Sequence, residues 1–531
     1  MANPSLQIGN GKFAIKENDL LGYSSSGTRF FPIPITMTRA TSGTRVNSSG
    51  LVETVELLGS ELIQDSDFLL TGTQAENVTG TYWTTGAGWS ISGGKATLVA
   101  QAGSSSLGSV VMSVTPGKTY KVTVNVSATS TGFRLYDTAG VVSYGLQLGK
   151  NVFYTIPSSS SYQITPLGLA GASGIIDNIS VKEATIDGLA RVDYTDGTGS
   201  LLVEPQRTNL YTYSEDFLQS YWTKLNCTAP LTSELAPDGT TNSVHNLNGT
   251  SANLFASGGA TGVEHTISFY IKSNGQSKDY FKLRLGNNTS VEYVATNDWI
   301  RYEFTSTPTT GVFGITTSSS PNNEFDLLVW GAQSEQASYA TSYIKTQGSS
   351  VTRNQDQYIK TGISDKINSE EGVLFAEMAA LDNDLTTRMI SLSDGGNTDR
   401  IHMFYHSVSN EIAVNYRVSG TTEASIGFVV SNITNFNKIA FKWKSGDFAL
   451  WINGVEVGTD SNTTMLPADT LNKLAFEQGN GGNNLYAKVK QLQVYDTALT
   501  DMQLIQLTGT AGTDFYESYS EMAESLTYTI Q

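Results

Sequence analysis

Apolar and polar residues alternate along the chain with a period of two, which restricts it to strands that bury one face. In Tyr120-Lys121-Val122-Thr123-Val124-Asn125-Val126 the even positions are apolar and the odd ones polar, and Ile267, Phe269 and Ile271 repeat the pattern between Ser268, Tyr270 and Lys272. Helical periodicity is confined to two short stretches, Ala498 to Leu507 and Tyr516 to Ser525. At 531 residues the chain exceeds what one hydrophobic core serves, which predicts roughly three or four cores. Charged residues make up only 15% and glycine reaches 51 positions, the balance of a turn-rich protein. The expected fold class is all-β, as tandem β-sandwiches of antiparallel strands.

Charge and cysteine content remove several functions. With 32 Lys and Arg against 49 Asp and Glu, the net charge of −17 opposes gripping a polyanionic backbone, so nucleic acid is not an expected partner. One cysteine, Cys227, leaves no intrachain disulfide framework and no Cys-rich zinc site. The start, MANPSLQIGNGKFAIKEND, has no basic run followed by an apolar one. No window reaches the roughly 18 apolar residues of a spanning helix. The expectation is a protein without signal peptide or membrane insertion, made in the cytoplasm. Asn-X-Ser/Thr triplets such as Asn77-Val78-Thr79 and Asn432-Ile433-Thr434 then reflect composition.

Two blocks share landmarks in the same order. The first runs from Ser66-Asp67-Phe68 through Tyr82-Trp83-Thr84 and a central strand at Tyr120 to Val126, and closes on Asp177-Asn178-Ile179-Ser180-Val181. The second runs from Ser214-Glu215-Asp216-Phe217 through Tyr221-Trp222-Thr223 and His265 to Ile271, and closes on Asp326-Leu327-Leu328-Val329-Trp330. This order resembles the jelly-roll carbohydrate-binding modules related to galactose-binding domains. The resemblance implies sugar rings stacked on exposed aromatics, with Trp83, Trp89 and Tyr136 as candidates in the first block and Trp222, Trp299 and Trp330 in the second. The competing reading is that large aromatics in a sandwich are core.

A third block carries Phe441-Lys442-Trp443-Lys444, a Gly446-Asp447 turn, and Phe448-Ala449-Leu450-Trp451-Ile452 ending in Asn453-Gly454, which reads as a hairpin followed by a tight turn. The strand Leu485 to Tyr495 then leads through Asp496-Thr497-Ala498-Leu499-Thr500-Asp501 into a short helix. These elements resemble the concanavalin A-like family of laminin-G and pentraxin type. Some members bind calcium at the rim, which makes Asp394, Asn397 and Asp399 candidate ligands, although Gly with Asp and Asn is also ordinary turn chemistry. Catalysis finds no candidate. Glycoside hydrolysis needs two carboxylates at a set separation, and the family's Glu-x-Asp-x-x-Glu arrangement does not occur within 358–508. Glu370 and Glu371 are adjacent, so on a strand they point to opposite faces. His402 and His406 lack the glutamate of a metalloprotease and sit in a strand pattern. The expectation is that the protein is not an enzyme.

Between the blocks lie Thr38-Arg39-Ala40-Thr41 to Val46-Asn47-Ser48-Ser49-Gly50-Leu51-Val52-Glu53, then Arg191-Val192-Asp193-Tyr194, then Leu201-Leu202-Val203-Glu204-Pro205-Gln206-Arg207-Thr208-Asn209-Leu210 to Tyr213-Ser214-Glu215-Asp216-Phe217. A later joint runs from Ala340-Thr341-Ser342-Tyr343 to Val351-Thr352-Arg353. Together these resemble signatures of tailed-bacteriophage virion proteins of fibre, spike or head-decoration type. In that family the first two motifs stand close together, so the block between them reads as an insertion and 38–56 should meet 188–212. Glu204, Pro205 and Arg207 read as a stiff clamp between sandwiches.

The expected division is an N-terminal virion-docking segment, 1–57; an inserted jelly roll, 58–187; a connector, 188–206, pairing with 38–56; a second jelly roll, 207–346; a connector, 347–357; a concanavalin A-like sandwich, 358–509; and a docking tail, 510–531. The resemblance implies a virion protein that attaches to host-surface polysaccharide, with other virion proteins as partners and a homo-oligomer, most simply a trimer. The alternatives are a spacer or decoration protein that binds no sugar and, less favoured, a polysaccharide depolymerase.

Overall fold

A computed structural model of the protein describes residues 2–9, 12–63, 65–69, 82–109, 111–137, 142–241, 243–276, 278–318 and 323–509. The docking tail 510–531, the helix expected at Tyr516 to Ser525 and the Asn77 triplet lie outside them. The architecture is all-β, and the helix is short. Asp501–Thr508 forms one, closed at its start by a capping box in which Gln503 N donates to Thr500 Oγ1 at 3.4 Å and Thr500 N to Gln503 Oε1 at 3.0 Å. The chain divides into two compact units. One comprises the described residues up to Gly50, Asp187–Arg207 and those from Thr352 on; the other comprises Leu51–Ile186 and Thr208–Val351.

The second unit holds two cores. In the first, a sheet containing Tyr120–Thr129 and Gly174–Thr185 faces one containing Phe133–Asp137 and Ile164–Gly168. Val122, Val124, Leu135 and Ile179 are buried between them. In the second, His265–Ser273 and Glu324–Glu335 lie side by side in a nine-stranded sheet over Ile267, Phe269, Leu283 and Leu327. The shared landmarks correspond in space. In each block the central strand pairs antiparallel with the closing one, Val122 opposite Val181 and Ile271 opposite Val329, and each pairing carries a bulge. The aspartate near the head of each closing strand ties neighbouring segments: Asp177 accepts from Ser127 Oγ at 2.9 Å, and Asp326 from Asn246 and Asn274 at 2.6 and 2.9 Å.

The first unit is a single sandwich. One sheet runs through Val455–Asp460, Phe448–Ile452, Asn437–Lys444, Glu371–Ala380 and Ala487–Tyr495. The other runs through Thr421–Val429, Glu411–Val418, Arg400–Tyr405, Arg388–Ser393, Lys473–Ala475 and Gln357–Thr361. The turn after Ile452 has Asn453 and Gly454 both at positive φ, 51° and 87°, so Ile452 faces Val455 across a two-residue connection that only such residues adopt without strain.

The N-terminal segment, too short to form a core alone, adds strands to this sandwich, which therefore draws on residues outside 358–509. Phe30–Thr38 pairs with both Asp19–Ser25 and Gln357–Thr361, while Leu6–Ile8 bridges the two sheets by pairing with Ala487–Tyr495 and with Tyr23. The physical reason lies in the alternation. Ile33, Ile35 and Met37 form an apolar face that a segment of this length cannot bury alone, and they join one core with Leu374, Leu392 and Val494. Ser200–Val203 pairs with Ala487–Tyr495 in the same way.

The motif residues between the blocks are structural hubs. In the first unit Val46 N donates to Asp193 Oδ1 at 2.9 Å, and Arg39 donates to Leu189 O at 2.8 Å. Glu204 pairs with Arg191 at 2.6 Å and Arg353 at 2.7 Å, and Arg207 donates to Gln206 O at 3.0 Å. In the second unit Asn209, fully buried, donates to Ala332 O and Ile344 O at 3.0 and 2.8 Å and accepts from Ser334 N and Tyr211 N at 3.0 and 3.2 Å. Asn209→Ala is expected to destabilise this unit by about 2–3 kcal/mol, because the buried backbone groups lose their partners. A denaturant titration of the variant against the parent reads the difference.

Candidate functional site

The aromatics expected to stack on sugar divide by burial. Trp83 is 1% exposed, its Nε1 donating to Asp65 O at 3.1 Å and its ring 5.1 Å from Phe68. Trp222 and Trp330 are 2% and 1% exposed among Tyr211, Phe217 and Phe269, and Tyr270 and Tyr343, respectively. Trp89 lies against Phe133. None of these four presents a face to solvent; Trp83, Trp89 and Trp222 fill the cores of their sandwiches, and Trp330 is covered by Tyr270 and Tyr343. Tyr136 and Trp299 are half-buried, the latter held by Leu235 O at 2.9 Å. Strongly exposed rings sit instead at Phe30 and Phe31, 71% and 51% exposed.

The calcium candidates do not form a cage. Asp394 Oδ1 accepts from Gly396 N at 2.7 Å, Asn397 Oδ1 from Gln478 Nε2 at 2.7 Å, and Asp399 Oδ1 from Ser419 N at 2.5 Å. These oxygens serve three different loop contacts, as turn chemistry requires. Among the described residues no three acids, histidines or cysteines gather in a way that would hold a metal. Cys227 is half-buried, its thiol pushed up by burial and donating to Asn253 O at 3.2 Å, so it is a packing residue.

The concentration of unspent polar chemistry lies on the outer face of the first unit's sandwich, across Arg388–Ser393, Arg400–Tyr405, Glu411–Val418 and Thr421–Val429. Their registers align two polar rows: Ser391, His402, Asn415 and Ser425, and beside them Ser393, Arg400, Arg417 and Thr422. The row between, Leu392, Ile401, Tyr416 and Ala424, points into the core. Next to the polar rows Met389, Phe404 and Ala413 pack into a small apolar patch on the same outer face.

The loop joining Lys473–Ala475 to Ala487–Tyr495 roofs one side. Glu477 shapes it, accepting from Gly479 N at 2.7 Å, Gly481 N at 2.5 Å and Lys473 Nζ at 2.8 Å. Gly479 has φ +110°, and a Cβ there would stand 2.7 Å from Gly396 O, so this close approach requires glycine. Gln478 O receives Arg400 Nη1 at 3.4 Å and His402 Nε2 at 3.3 Å, which fixes the Nε2–H tautomer. Burial, with the Arg400 charge adding to it, lowers His402 to about 3, so its ring is neutral. Burial, followed by the Arg417 charge, lowers Arg400 to about 10. On the other side Asn415 and Arg417 are half-buried and Thr422 and Ser425 exposed, so the rows run out from under the roof toward solvent.

Ser391 Oγ, Arg400 Nε, Asn415 Oδ1 and Arg417 Nε are buried atoms with no hydrogen-bond partner among the described residues. Neither arginine makes an ion pair there. Sequence reasoning noted His402 as a strand residue and missed the rest. Arg400–Tyr405 is buried on both faces, so alternation does not flag its outer side, and only cross-strand register brings the rows together.

These observations define a multi-domain all-β protein whose last sandwich carries a polar outer face. Residues 355–504 match a laminin G family model described as the concanavalin A-like lectin/glucanases superfamily. No curated protein sequence matches the chain. Solved structures similar to parts of it include the carbohydrate-binding module of the Ruminococcus gnavus IT-sialidase bound to α2,3 sialyllactose, at 19% identity over 26% of this chain and 83% of that one with a TM-score of 0.24. Domain 4 of the arabinanase AbnA from Geobacillus stearothermophilus, in complex with arabinotriose, is similar at 14% identity over 29% and 73% with a TM-score of 0.25. A SAP-like pentraxin from Limulus polyphemus is similar at 16% identity over 28% and 73% with a TM-score of 0.23.

Proposed function

We propose that the chain is a structural subunit of a bacteriophage particle, of fibre, spike or decoration type, that attaches to host-surface polysaccharide through the lectin-type face of its first unit. The observation that carries the binding half is the pair of polar rows with buried, unpartnered donors and acceptors beside an apolar patch. A sugar offers the complementary surface, with hydroxyls for the solvent-facing end of the rows at Asn415, Arg417, Thr422 and Ser425. The virion assignment rests on the joint signatures, and display in several copies, most simply as a trimer, would offset a shallow site by avidity. In this reading the protein acts by contact and breaks no bond.

A spacer role for the second unit is favoured by one specific observation, the burial of Trp83, Trp89, Trp222 and Trp330. On a glycan array the full chain, presented multivalently, is expected to be retained on host capsule polysaccharide, with Asn415→Ala and Ser425→Ala weakening retention several-fold and reducing ends not accumulating. Absence of retention at high valency would remove the attachment role, and release of reducing ends would remove the non-catalytic one.

A further inference from the structure

Two arginines stand directly opposite each other on neighbouring strands, Arg400 and Arg417, and like charges in that position repel. A fold that keeps such a pair ordinarily neutralises it with carboxylates, as the buried arginines elsewhere in this unit are neutralised. Here Asp394 and Glu477 act on Arg400 electrostatically, but no carboxylate among the described residues reaches ion-pair distance of either guanidinium. Glu477 is held by Lys473 and two loop amides, Asp394 by Gly396 N and Asp399 by Ser419 N. Arg400 is only 4% exposed. The contacts the two guanidiniums do make are to the carbonyls of Gln478 and Gly420. Their Nε–H groups donate to nothing described.

We propose that the Arg400–Arg417 pair receives a carboxylate carried by a saccharide, so that the outer face of this sandwich is a site for an acidic glycan; this rests on the lectin-type reading of the same face. The planar guanidinium fork matches a planar carboxylate, and one anion between two arginines offsets their repulsion. The adjoining row runs out past the roof at half-buried Asn415 and exposed Ser425, which stand where they meet the hydroxyls of the same ring. Charge density narrows the ligand further. The chain carries a net −17, and Asp394, Asp399 and Glu477 surround the pair, so a densely sulfated polyanion is repelled where a saccharide with one carboxylate per repeat is tolerated. The ligand class is therefore a saccharide with sparse carboxylates, and a uronate-bearing polysaccharide is its probe.

The test uses the full chain on an array carrying uronate-bearing glycans, the same glycans after carboxyl reduction to neutral sugars, and sulfated glycans. The expected result is retention on the uronate arm, loss of at least about tenfold on carboxyl reduction, and a similar loss in Arg417→Gln, whose half-buried side chain can be changed with little risk to folding. Arg400→Gln serves as the second variant, with a melting curve to confirm that it folds. Equal retention of acidic and reduced glycans, unaffected by Arg417→Gln but weakened by Asn415→Ala, overturns the acidic-ligand inference and leaves the lectin reading standing. Preference for the sulfated arm overturns the carboxylate assignment. Retention on no arm overturns the inference together with the lectin reading.

Discussion

Asp356→Ala is expected to destabilise the first unit by about 3–5 kcal/mol, the cost of leaving buried guanidiniums without their counter-ion, and to lower its melting transition by roughly 6–20 °C. Asp356 has a fully buried carboxylate at the centre of a closed network. Its Oδ1 takes Arg39 Nη1 at 2.5 Å, and its Oδ2 takes Arg191 Nη2 and Glu204 N, the latter at 2.9 Å. Glu204 in turn holds Arg191 and Arg353, and Arg353 donates to Pro205 O at 2.7 Å. Three guanidiniums thus share two carboxylates, and removing one acid leaves an excess of buried positive charge that no side-chain rotation relieves. The same network fixes the sign of the pH response. Burial alone would raise the Asp356 carboxyl, but Arg191, Arg39 and Arg353 outweigh it and hold the group below the usual range. A depressed acid contributes stability above its unfolded value and loses it as the pH falls through the folded one, so acid unfolding of this unit sets in below about pH 4. Thermal melts of parent and variant between pH 7 and 3 read both effects. A variant as stable as the parent at pH 7 would show that the network is stabilised elsewhere.

How much of this was legible in the sequence depends on distance along the chain. Period-two alternation marked the strands Tyr120–Thr129 and His265–Ser273, and Asn453-Gly454 marked a turn, because each signal is complete within a few residues. The short periodic stretch expected at Ala498 to Leu507 marked the helix for the same local reason, although the helix starts only at Asp501, after the Thr500 cap. The assembly of the last sandwich was not legible. Nothing local in Leu6–Ile8 or Phe30–Thr38 says that its partner strands lie hundreds of residues away in Ala487–Tyr495 and Gln357–Thr361. The candidate site failed for a related reason. A tryptophan's type shows that it will be valuable to bury, but not whether a protein or a sugar does the covering, and Trp83, Trp222 and Trp330 went to the interior. Conversely Ser391, Arg400, Asn415 and Arg417 look like unremarkable strand residues until register aligns them, and their unmet hydrogen bonds are properties of the fold rather than of any motif.

Trp222→Ala separates the two readings of the buried rings. Its indole lies 4.8 Å from Tyr211, 5.0 Å from Phe217 and 6.3 Å from Phe269, and its Nε1 donates to Tyr213 O at 2.9 Å. Truncation removes the ring from a close-packed aromatic cluster and strands a carbonyl, so a loss of about 3–5 kcal/mol in the second unit is expected. Trp222→Phe should lose less, since it keeps part of the ring contact and forfeits only the hydrogen bond and the missing volume. Trp299→Ala, half-buried and tied by one bond to Leu235 O, is expected to cost no more than about 1 kcal/mol. Denaturant unfolding of the three variants gives the order, and glycan retention by the folded fraction of Trp222→Ala is expected to match the parent. A Trp222→Ala protein with parental stability but lost retention would reverse the argument, because a ring that serves only as a sugar platform contributes to binding and leaves the core intact.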